Sequence, residues 1–211
     1  PMADGPTIQE SSSRAIKNGA DLESIFKISK NLRDYNDNIP IVLMGYYNLI
    51  LNYGINNFVN KCSEIGIDGL IIVDLQPEED TELYDQLKNK NIDLIRLITP
   101  TTTPKRLKII TSHASGFLYY VTITGITGQK SGDIQELKNA IKNIREYSEL
   151  PIVAGFGINS KEQVKEICKT SDGVVVGSSI VKIIKNNLNQ NTMMLKNIEE
   201  FIKDLKSGTI I

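Results

Sequence analysis

The stretch PIVAGFGINSKEQVKEICKTSDGVVVGSSI, residues 151–180, indicates the fold class. It contains two short apolar segments, 151–154 and 173–176, and each runs into a glycine-containing turn that precedes a predicted helix. A continuously apolar segment of strand length is typical of a parallel strand covered on both faces. The stretch therefore predicts two consecutive strand–helix units of an α/β fold.

The same unit recurs upstream. Apolar segments at 40–44, 69–73, 94–98 and 117–121 give six predicted strands, whose starts recur about every 27 residues. Helical spacing or capping patterns lie before, between and after them, at 21–35, 78–89, from 103, 133–147, from 160, 178–186 and 193–205. No linker or low-complexity tract interrupts the series, so we expect one domain over residues 1–211.

Composition narrows the functional classes. Of 211 residues, 40% are hydrophobic and 23% are charged, and a net charge of -1 gives no basic excess for nucleic acid or an anionic membrane. No apolar run approaches the ~18–20 residues that span a bilayer, and we expect a cytoplasmic protein without a secretory signal. The single histidine, His113, excludes a multi-histidine metal site, and Cys62 and Cys168 read as free thiols.

Two architectures fit alternating strands and helices, an open doubly wound sheet and a closed barrel. The GxGxxG pattern of a nucleotide-binding sheet is absent after the first predicted strand. A (β/α)8 TIM barrel needs eight units and about 250 residues. We count six, and the chain opens in a turn-like run at 1–6. We therefore expect an incomplete barrel whose first two strands are missing.

In such barrels the active site lies where the strands end, and phosphate often binds after strands seven and eight. The last two predicted strands run into Gly155-Phe156-Gly157 and Gly177-Ser178. Glycine allows close approach of backbone N–H groups, and Ser178 adds a hydroxyl at a helix start. The pair predicts a phosphate site, although tight turns alone would explain either loop.

Other candidate residues remain ambiguous at this point. The long Gly- and Thr-rich loop at 122–132 suits a lid over a substrate, or an idle surface loop. Asp4 fits a helix N-cap better than a catalytic acid, and Asp74 fits a loop cap at least as well as a catalytic role. Tyr119 would line the barrel mouth or pack, and His113 is interpreted as a partner of a helix C-terminus.

The residues of these strand ends also carry a resemblance to a known family. The chain closely resembles the alpha subunits of tryptophan synthases. The matching runs are spread over nearly the whole chain: 1–9 (PMADGPTIQ), 44–48 (MGYYN), 73–75 (VDL), 99–102 (TPTT), 125–128 (GITG), 155–158 (GFGI) and 177–182 (GSSIVK).

The resemblance implies a (β/α)8 barrel that cleaves indole-3-glycerol phosphate to indole and glyceraldehyde 3-phosphate without a cofactor. Family members use a glutamate and an aspartate, and the aspartate matches Asp4. The other matches are Phe156, Gly157, Gly177 and Ser178 for phosphate, Ile8, Met44, Ile71, Leu97 and Tyr119 for the substrate pocket, and Thr127 and Gly128 for the lid.

The resemblance further implies a pyridoxal-phosphate beta subunit as partner, with two alpha subunits flanking a beta dimer. Pro1 and Asn48 match positions that face this partner. The family's glutamate lies before the position matching Pro1, so it is absent from this chain, which we expect to be inactive alone. Gln76-Pro77 departs from the family pattern near the interface.

Two alternatives stay open: another phosphate-binding barrel enzyme of amino-acid biosynthesis, and a non-catalytic subunit that activates a partner.

Overall fold

The computed structural model describes residues 3–121, 131–155 and 157–209, and the side chains of 131–133 lie outside that description. Six strands form one sheet: β1 (Val42–Gly45), β2 (Gly69–Ile72), β3 (Asp93–Ile98), β4 (Leu118–Val121), β5 (Ile152–Gly155) and β6 (Gly173–Val175). The helices are α1 (Pro6–Lys17), α2 (Leu22–Tyr35), α3 (Tyr47–Tyr53), α4 (Ile55–Ile65), α5 (Thr81–Asn89), α6 (Pro104–Ser112), α7 (Ser131–Arg145), α8 (Lys161–Ile167), α9 (Ser178–Asn186) and α10 (Asn191–Ser207).

All the pairings in this sheet are parallel, and the spatial order is β1-β2-β3-β4-β5-β6, the same as the order along the chain. A doubly wound sheet reverses its strand order at a switch point, and this sheet does not. The sheet is therefore part of a barrel wall, which confirms the predicted (β/α) barrel class.

The two faces of the sheet have different surroundings. Leu70, Leu94, Leu118 and Ile152 are fully buried, and they pack with helix residues in two apolar clusters. Paired residues of neighbouring parallel strands share a face, and side chains alternate along each strand. On each strand, the residue next to one of these four therefore points to the opposite face, which we call the inner face. The helices cover one side of the sheet, and the inner face is the concave side.

The sheet curls far enough to bring distant elements together. Helix α1 precedes β1 and helix α9 follows β6, yet the two helices pack against each other. Lys185 Nζ of α9 lies 2.8 Å from Glu10 Oε2 of α1. An open flat sheet of six strands would hold these helices at opposite edges. The contact between α1 and α9 therefore shows that the sheet is strongly curved.

Capping residues set several helix starts as the sequence predicts. Asp21 and Ser24 form a reciprocal capping box at α2, and Ser160 and Gln163 form one at α8. Thr103 Oγ1 accepts from the Arg106 N–H at α6. The segment 78–89 differs from expectation, because a short 3-10 turn at Pro77–Glu79 precedes α5. Helices α3 and α4 were not predicted.

Within the described residues, no helix combines the length and the apolar character needed to cross a membrane.

Candidate active site

The carboxyl ends of the six strands meet at one rim of the concave sheet, because the strands are parallel. Tyr46 follows β1, Asp74 lies two residues beyond β2, and the turns at Gly157 and Gly177 follow β5 and β6. This rim is the end of a barrel at which catalytic side chains collect.

Asp4 lies at this rim, half-buried, just before α1. The Tyr46 hydroxyl donates to Asp4 Oδ2 at 2.8 Å, and the Gln9 side-chain amide donates to the Asp4 carbonyl oxygen at 2.8 Å. The N-cap of α1 is Gly5, which makes no side-chain capping bond. The interpretation of Asp4 as a helix cap is therefore wrong. Its carboxylate is instead held by a residue 42 positions away.

Tyr119 faces the same space as Asp4. It lies on the inner face of β4, where burial and the negative charge of Asp4 raise the pKa of its hydroxyl. A Cβ atom at Gly155 would lie 2.7 Å from the Tyr119 ring, so glycine allows the ring to lie against β5. The Tyr119 ring therefore occupies the middle of the concave face, within electrostatic reach of the Asp4 carboxylate.

The strand residues predicted to line the substrate pocket share the inner face. Met44 pairs with Ile71, and Leu97 pairs with Tyr119. Ile71 pairs with Ile95, which lies two residues before Leu97 on β3 and thus on the same face. Met44 is 52% exposed, Ile71 is buried, and Leu97 and Tyr119 are half-buried. Their shared face forms an apolar wall open to solvent, and their role in binding stays a prediction.

The fifth predicted pocket residue, Ile8, is half-buried in the first turn of α1, four residues after Asp4. Ile8 is therefore near the rim because it follows Asp4 closely in the sequence, and it does not lie on the sheet itself. Its contact with substrate stays a prediction.

The two glycine turns are joined by a hydrogen bond. The Ser179 hydroxyl donates to the Ile158 carbonyl oxygen at 2.7 Å, which ties the start of α9 to the turn after β5. Gly157 has φ of 63°, a left-handed conformation that favours glycine, and it is exposed. Gly177 and Ser178 are exposed as well. The neighbouring residue of the predicted set, Phe156, lies outside the described residues.

The start of α9 is suited to an anion. Gly177 is its N-cap, and within the described part of the chain no side chain caps this end. The first-turn N–H groups of a helix lack intrahelical acceptors, and the helix dipole places partial positive charge there. Ser178 is the first helical residue, so its hydroxyl lies beside these N–H groups. The arrangement can bind phosphate.

Asp74 has a structural role. Its Oδ1 accepts the Tyr47 N–H at 2.8 Å, which fixes the start of α3 to the end of β2. Asn48, predicted to face a partner, is exposed in the first turn of α3. Pro1, predicted at the same interface, and the lid residues Thr127 and Gly128 lie outside the described residues.

His113 lies at the C-terminus of α6, as predicted, and is its C-cap residue. Its ring makes further contacts that were not predicted: Nδ1 lies 3.1 Å from Oδ1 of the buried Asp80, and the ring stacks on Tyr84 with centroids 4.8 Å apart. Asp80 also forms an ion pair with Arg96, which donates to the carbonyl oxygens of Leu75 and His113. Arg96 was not predicted from the sequence, where its signal is one charge within the apolar segment 94–98.

Tyr46, the residue that holds Asp4, was not predicted from the sequence either. The available signal was its position directly after β1, where a barrel presents its functional side chains. Its partner lies before α1, and no local pattern links the two. Burial raises the pKa of the Tyr46 hydroxyl, the Ala3 N–H opposes that shift, and the Asp4 carboxylate adds to it.

A cavity of about 470 Å³ lies between α6 and α7. Leu107, Tyr120 and Ile144 line it on the helix side of the sheet, and Thr99 and Pro100 line it directly after β3. Within the described residues, no group of three or more His, Cys, Asp or Glu side chains could hold a metal ion. Both cysteines are free thiols, and burial raises the pKa of Cys62 to about 12.

Known proteins match this chain over nearly its whole length. The family model described as "Tryptophan synthase alpha chain" matches residues 1–210. The chain belongs to the tryptophan synthase alpha chain family. The alpha chain of Petrotoga mobilis is 44% identical over 206 residues, which are 98% of this chain and 80% of that protein.

Solved structures of the family agree with the fold. The alpha subunit from Campylobacter jejuni has a TM-score of 0.83 and 39% identity, and the match covers 95% of this chain and 79% of that one. A tryptophan synthase complex from Pyrococcus furiosus has a TM-score of 0.87 and 33% identity, with 98% and 82% covered. These matches give no support to a different phosphate-binding barrel enzyme or a non-catalytic subunit.

Proposed function

We propose that this tryptophan synthase alpha chain cleaves indole-3-glycerol phosphate to indole and glyceraldehyde 3-phosphate. Membership of the family supports the reaction. The observation that carries the proposal is the placement of Asp4: its carboxylate accepts from Tyr46, directly after β1, and burial together with its charge raises the pKa of Tyr119 on the inner face of β4. An indole ring lies against the wall formed by Ile71, Leu97 and Tyr119, and its N–H donates to Asp4.

The reaction breaks one carbon–carbon bond. A general acid adds a proton to the indole carbon that carries the side chain, a base removes the proton of the adjacent glycerol hydroxyl, and the bond between the two carbons breaks to give indole and an aldehyde. Protonation of the ring places positive charge on the indole nitrogen. Asp4, which accepts from that N–H, stabilises this charge more strongly than the neutral substrate.

The phosphate group binds at the start of α9. The hydrogen bond between Ser179 and Ile158 supports this placement, because it brings the turn at Gly157 beside Gly177 and Ser178. The phosphate accepts from backbone N–H groups of both turns and from the Ser178 hydroxyl. Phe156 directly precedes Gly157 in the sequence. This end of the substrate does not react, so its binding energy serves to orient the indole against Asp4.

The partner is a tryptophan synthase beta chain, in an assembly of two alpha and two beta chains in the cytoplasm. Structures from Pyrococcus furiosus are described as a tryptophan synthase complex and as its a2b2 complex. The exposed Asn48 and the segment beginning at Pro1 face the beta chain, and Thr127 and Gly128 belong to a lid over the substrate. Indole passes directly from the alpha site to the beta chain.

The 211-residue chain by itself is inactive in this proposal. Two observations support that part: β1 and β6 are the edge strands of the sheet among the described residues, and Met44 on the inner face is half exposed. A barrel open on this side neither encloses the indole nor excludes water. Indole release is measured for this chain and for one extended at its N-terminus, and equal turnover would contradict the statement.

Two substitutions test the site in the chain extended at its N-terminus and assembled with a beta chain. Asp4→Asn removes the negative charge and should lower kcat for indole release by about 100-fold or more. The matched control is Asp34→Asn, an exposed carboxylate on α2, which should leave kcat unchanged. An Asp4→Asn enzyme that keeps a tenth or more of the wild-type kcat would contradict the proposal.

The second substitution, Ser178→Asp, places a negative charge where the phosphate binds. It should raise KM for indole-3-glycerol phosphate about tenfold or more, because two anions then compete for one helix N-terminus. Asn191→Asp adds the same charge to the first residue of α10 and is the control. Equal KM values for the two variants would exclude the start of α9 as the phosphate site.

A further inference from the structure

We propose that Tyr46 is a positioning residue that holds the Asp4 carboxylate in the orientation the reaction needs, an inference that rests on the proposed role of Asp4. The Tyr46 hydroxyl contacts two consecutive residues of the segment before α1. It accepts the Ala3 N–H at 2.9 Å and donates to Asp4 Oδ2 at 2.8 Å. One phenol therefore fixes both the backbone and the side chain of this segment.

The direction of these bonds fixes the proton of the phenol. A backbone N–H can only donate, so the Tyr46 oxygen uses a lone pair for Ala3 and directs its own proton to Asp4. Oδ2 of Asp4 is thereby engaged, and we assign the substrate N–H to Oδ1. The carboxylate plane is fixed before substrate arrives, so less ordering is needed when positive charge develops on the indole.

Tyr46 can act as a fixed point because its own backbone is held by two strands. It follows Gly45 at the end of β1 and is the N-cap residue of α3. The next residue, Tyr47, donates its N–H to Asp74 Oδ1, two residues beyond the end of β2. Asp4 lies on a segment outside the sheet. Its position is therefore fixed relative to the sheet by two contacts: Tyr46 binds Asp4, and Asp74 binds the N–H of Tyr47 at the start of α3.

The chain offers a matched control for the loss of this phenol. Tyr53 also donates to a carboxylate, at 2.7 Å to Glu23 Oε1, but this pair lies between α3 and α2 on the helix side. Tyr46→Phe and Tyr53→Phe each remove one oxygen atom and one hydrogen bond to a carboxylate, and Tyr46→Phe also removes the acceptor of the Ala3 N–H. A general effect of losing such a bond on stability would appear in both variants, and a positioning effect in Tyr46→Phe alone.

The experiment is steady-state indole release by the chain extended at its N-terminus, in complex with a beta chain. Tyr46→Phe should lower kcat about tenfold or more, the effect of losing a hydrogen bond to a charged group, and should change KM by less than about twofold. Tyr53→Phe should keep the wild-type kcat. In an Asp4→Asn background, Tyr46→Phe should cause no further loss, because it acts through the carboxylate that is already gone.

A pair of variants at Asp74 gives a second measurement, which decides the matter if Tyr46→Phe melts far below the wild type. Asp74→Asn keeps an oxygen that can accept the Tyr47 N–H, so it should retain most of the wild-type kcat. Asp74→Ala removes that acceptor and should lose most of kcat. Any of four results would overturn the inference. Tyr46→Phe could keep the wild-type kcat, change only KM, or lose kcat additively with Asp4→Asn. The two Asp74 variants could also have equal kcat. Full activity of Asp4→Asn alone would instead overturn the proposed function, so the two failures are distinguishable.

Discussion

Arg96 and Asp80 carry opposite charges and are both buried. Arg96 lies on the helix side of β3 and Asp80 lies just before α5, and the exposed fraction of the two residues is 4% and 0%. Burial, with the positive charge of Arg106 adding to it, lowers the pKa of Arg96 to about 10. Removal of either partner leaves a charge without compensation in an apolar layer.

A double-mutant cycle measures the interaction between these two residues. Arg96→Met should lower the free energy of unfolding by about 3–5 kcal/mol, and Asp80→Ala by a similar amount. The double variant should recover much of that loss, because it buries neither charge. Urea unfolding at pH 7 gives the four values. A double variant as unstable as the sum of the two single variants would show that the buried pair is not coupled.

Cys62 makes stability depend on pH at the alkaline end. The pKa of its thiol is about 12 in the folded chain, against an ordinary value near 9. Between these values the folded chain keeps a proton that the unfolded chain has released, so stability is full below pH 9 and falls as pH rises towards 12. One thiol contributes a slope of up to about 1.4 kcal/mol per pH unit.

The variant Cys62→Ala should lose this contribution, so its free energy of unfolding should fall less steeply above pH 9 than that of the wild type. The comparison variant is Cys168→Ala: burial also raises the pKa of Cys168, but this thiol is only half-buried, so its removal should change the slope less than Cys62→Ala does. The slopes come from urea unfolding between pH 8 and pH 11. Identical slopes for the wild type and Cys62→Ala would contradict the expected effect.

Helix α8 begins directly after the turn that holds Gly157. The Ser160 hydroxyl accepts the Gln163 N–H at 3.3 Å, and the Gln163 side chain accepts from the Asn159 N–H at 2.8 Å. The capping box therefore stabilises both the helix and the turn between β5 and α8. Two orphan N–H groups gain acceptors through these bonds.

Ser160→Ala should destabilise the chain by about 1 kcal/mol, the usual effect of losing an N-cap side chain. Ser160→Thr and Ser160→Asp retain an acceptor and should stay within about 0.5 kcal/mol of the wild type. Thermal or urea unfolding distinguishes the three. Equal stability of Ser160→Ala and Ser160→Asp would mean that the capping oxygen contributes nothing.

The molecule as a whole presents two unpaired strand edges in its described part, at β1 and at β6. Large apolar side chains are exposed on its helices as well, among them Ile28 of α2 at 63% and Leu195 of α10 at 64%. Free strand edges and apolar patches are the usual sites of association between chains.

The isolated 211-residue chain should therefore self-associate at micromolar concentrations, as partly covered folds do. Sedimentation velocity measures this, and Ile28→Lys combined with Leu195→Lys should shift the distribution towards monomer. A wild-type chain that remains monomeric across that concentration range would show that its exposed faces do not pair.

Local patterns in the chain were enough to predict the fold class, the strand positions and the helix caps at Asp21, Thr103 and Ser160, because these depend on apolar runs and on neighbours three residues apart. They also placed the glycine turns after the last two strands. The contacts of Asp4, His113 and Arg96 emerged only from the folded arrangement. Asp4 looks like a helix cap locally, yet its carboxylate accepts from Tyr46, 42 residues away. Such contacts depend on sheet curvature and strand register, which bring distant segments together and leave no periodic pattern in the chain.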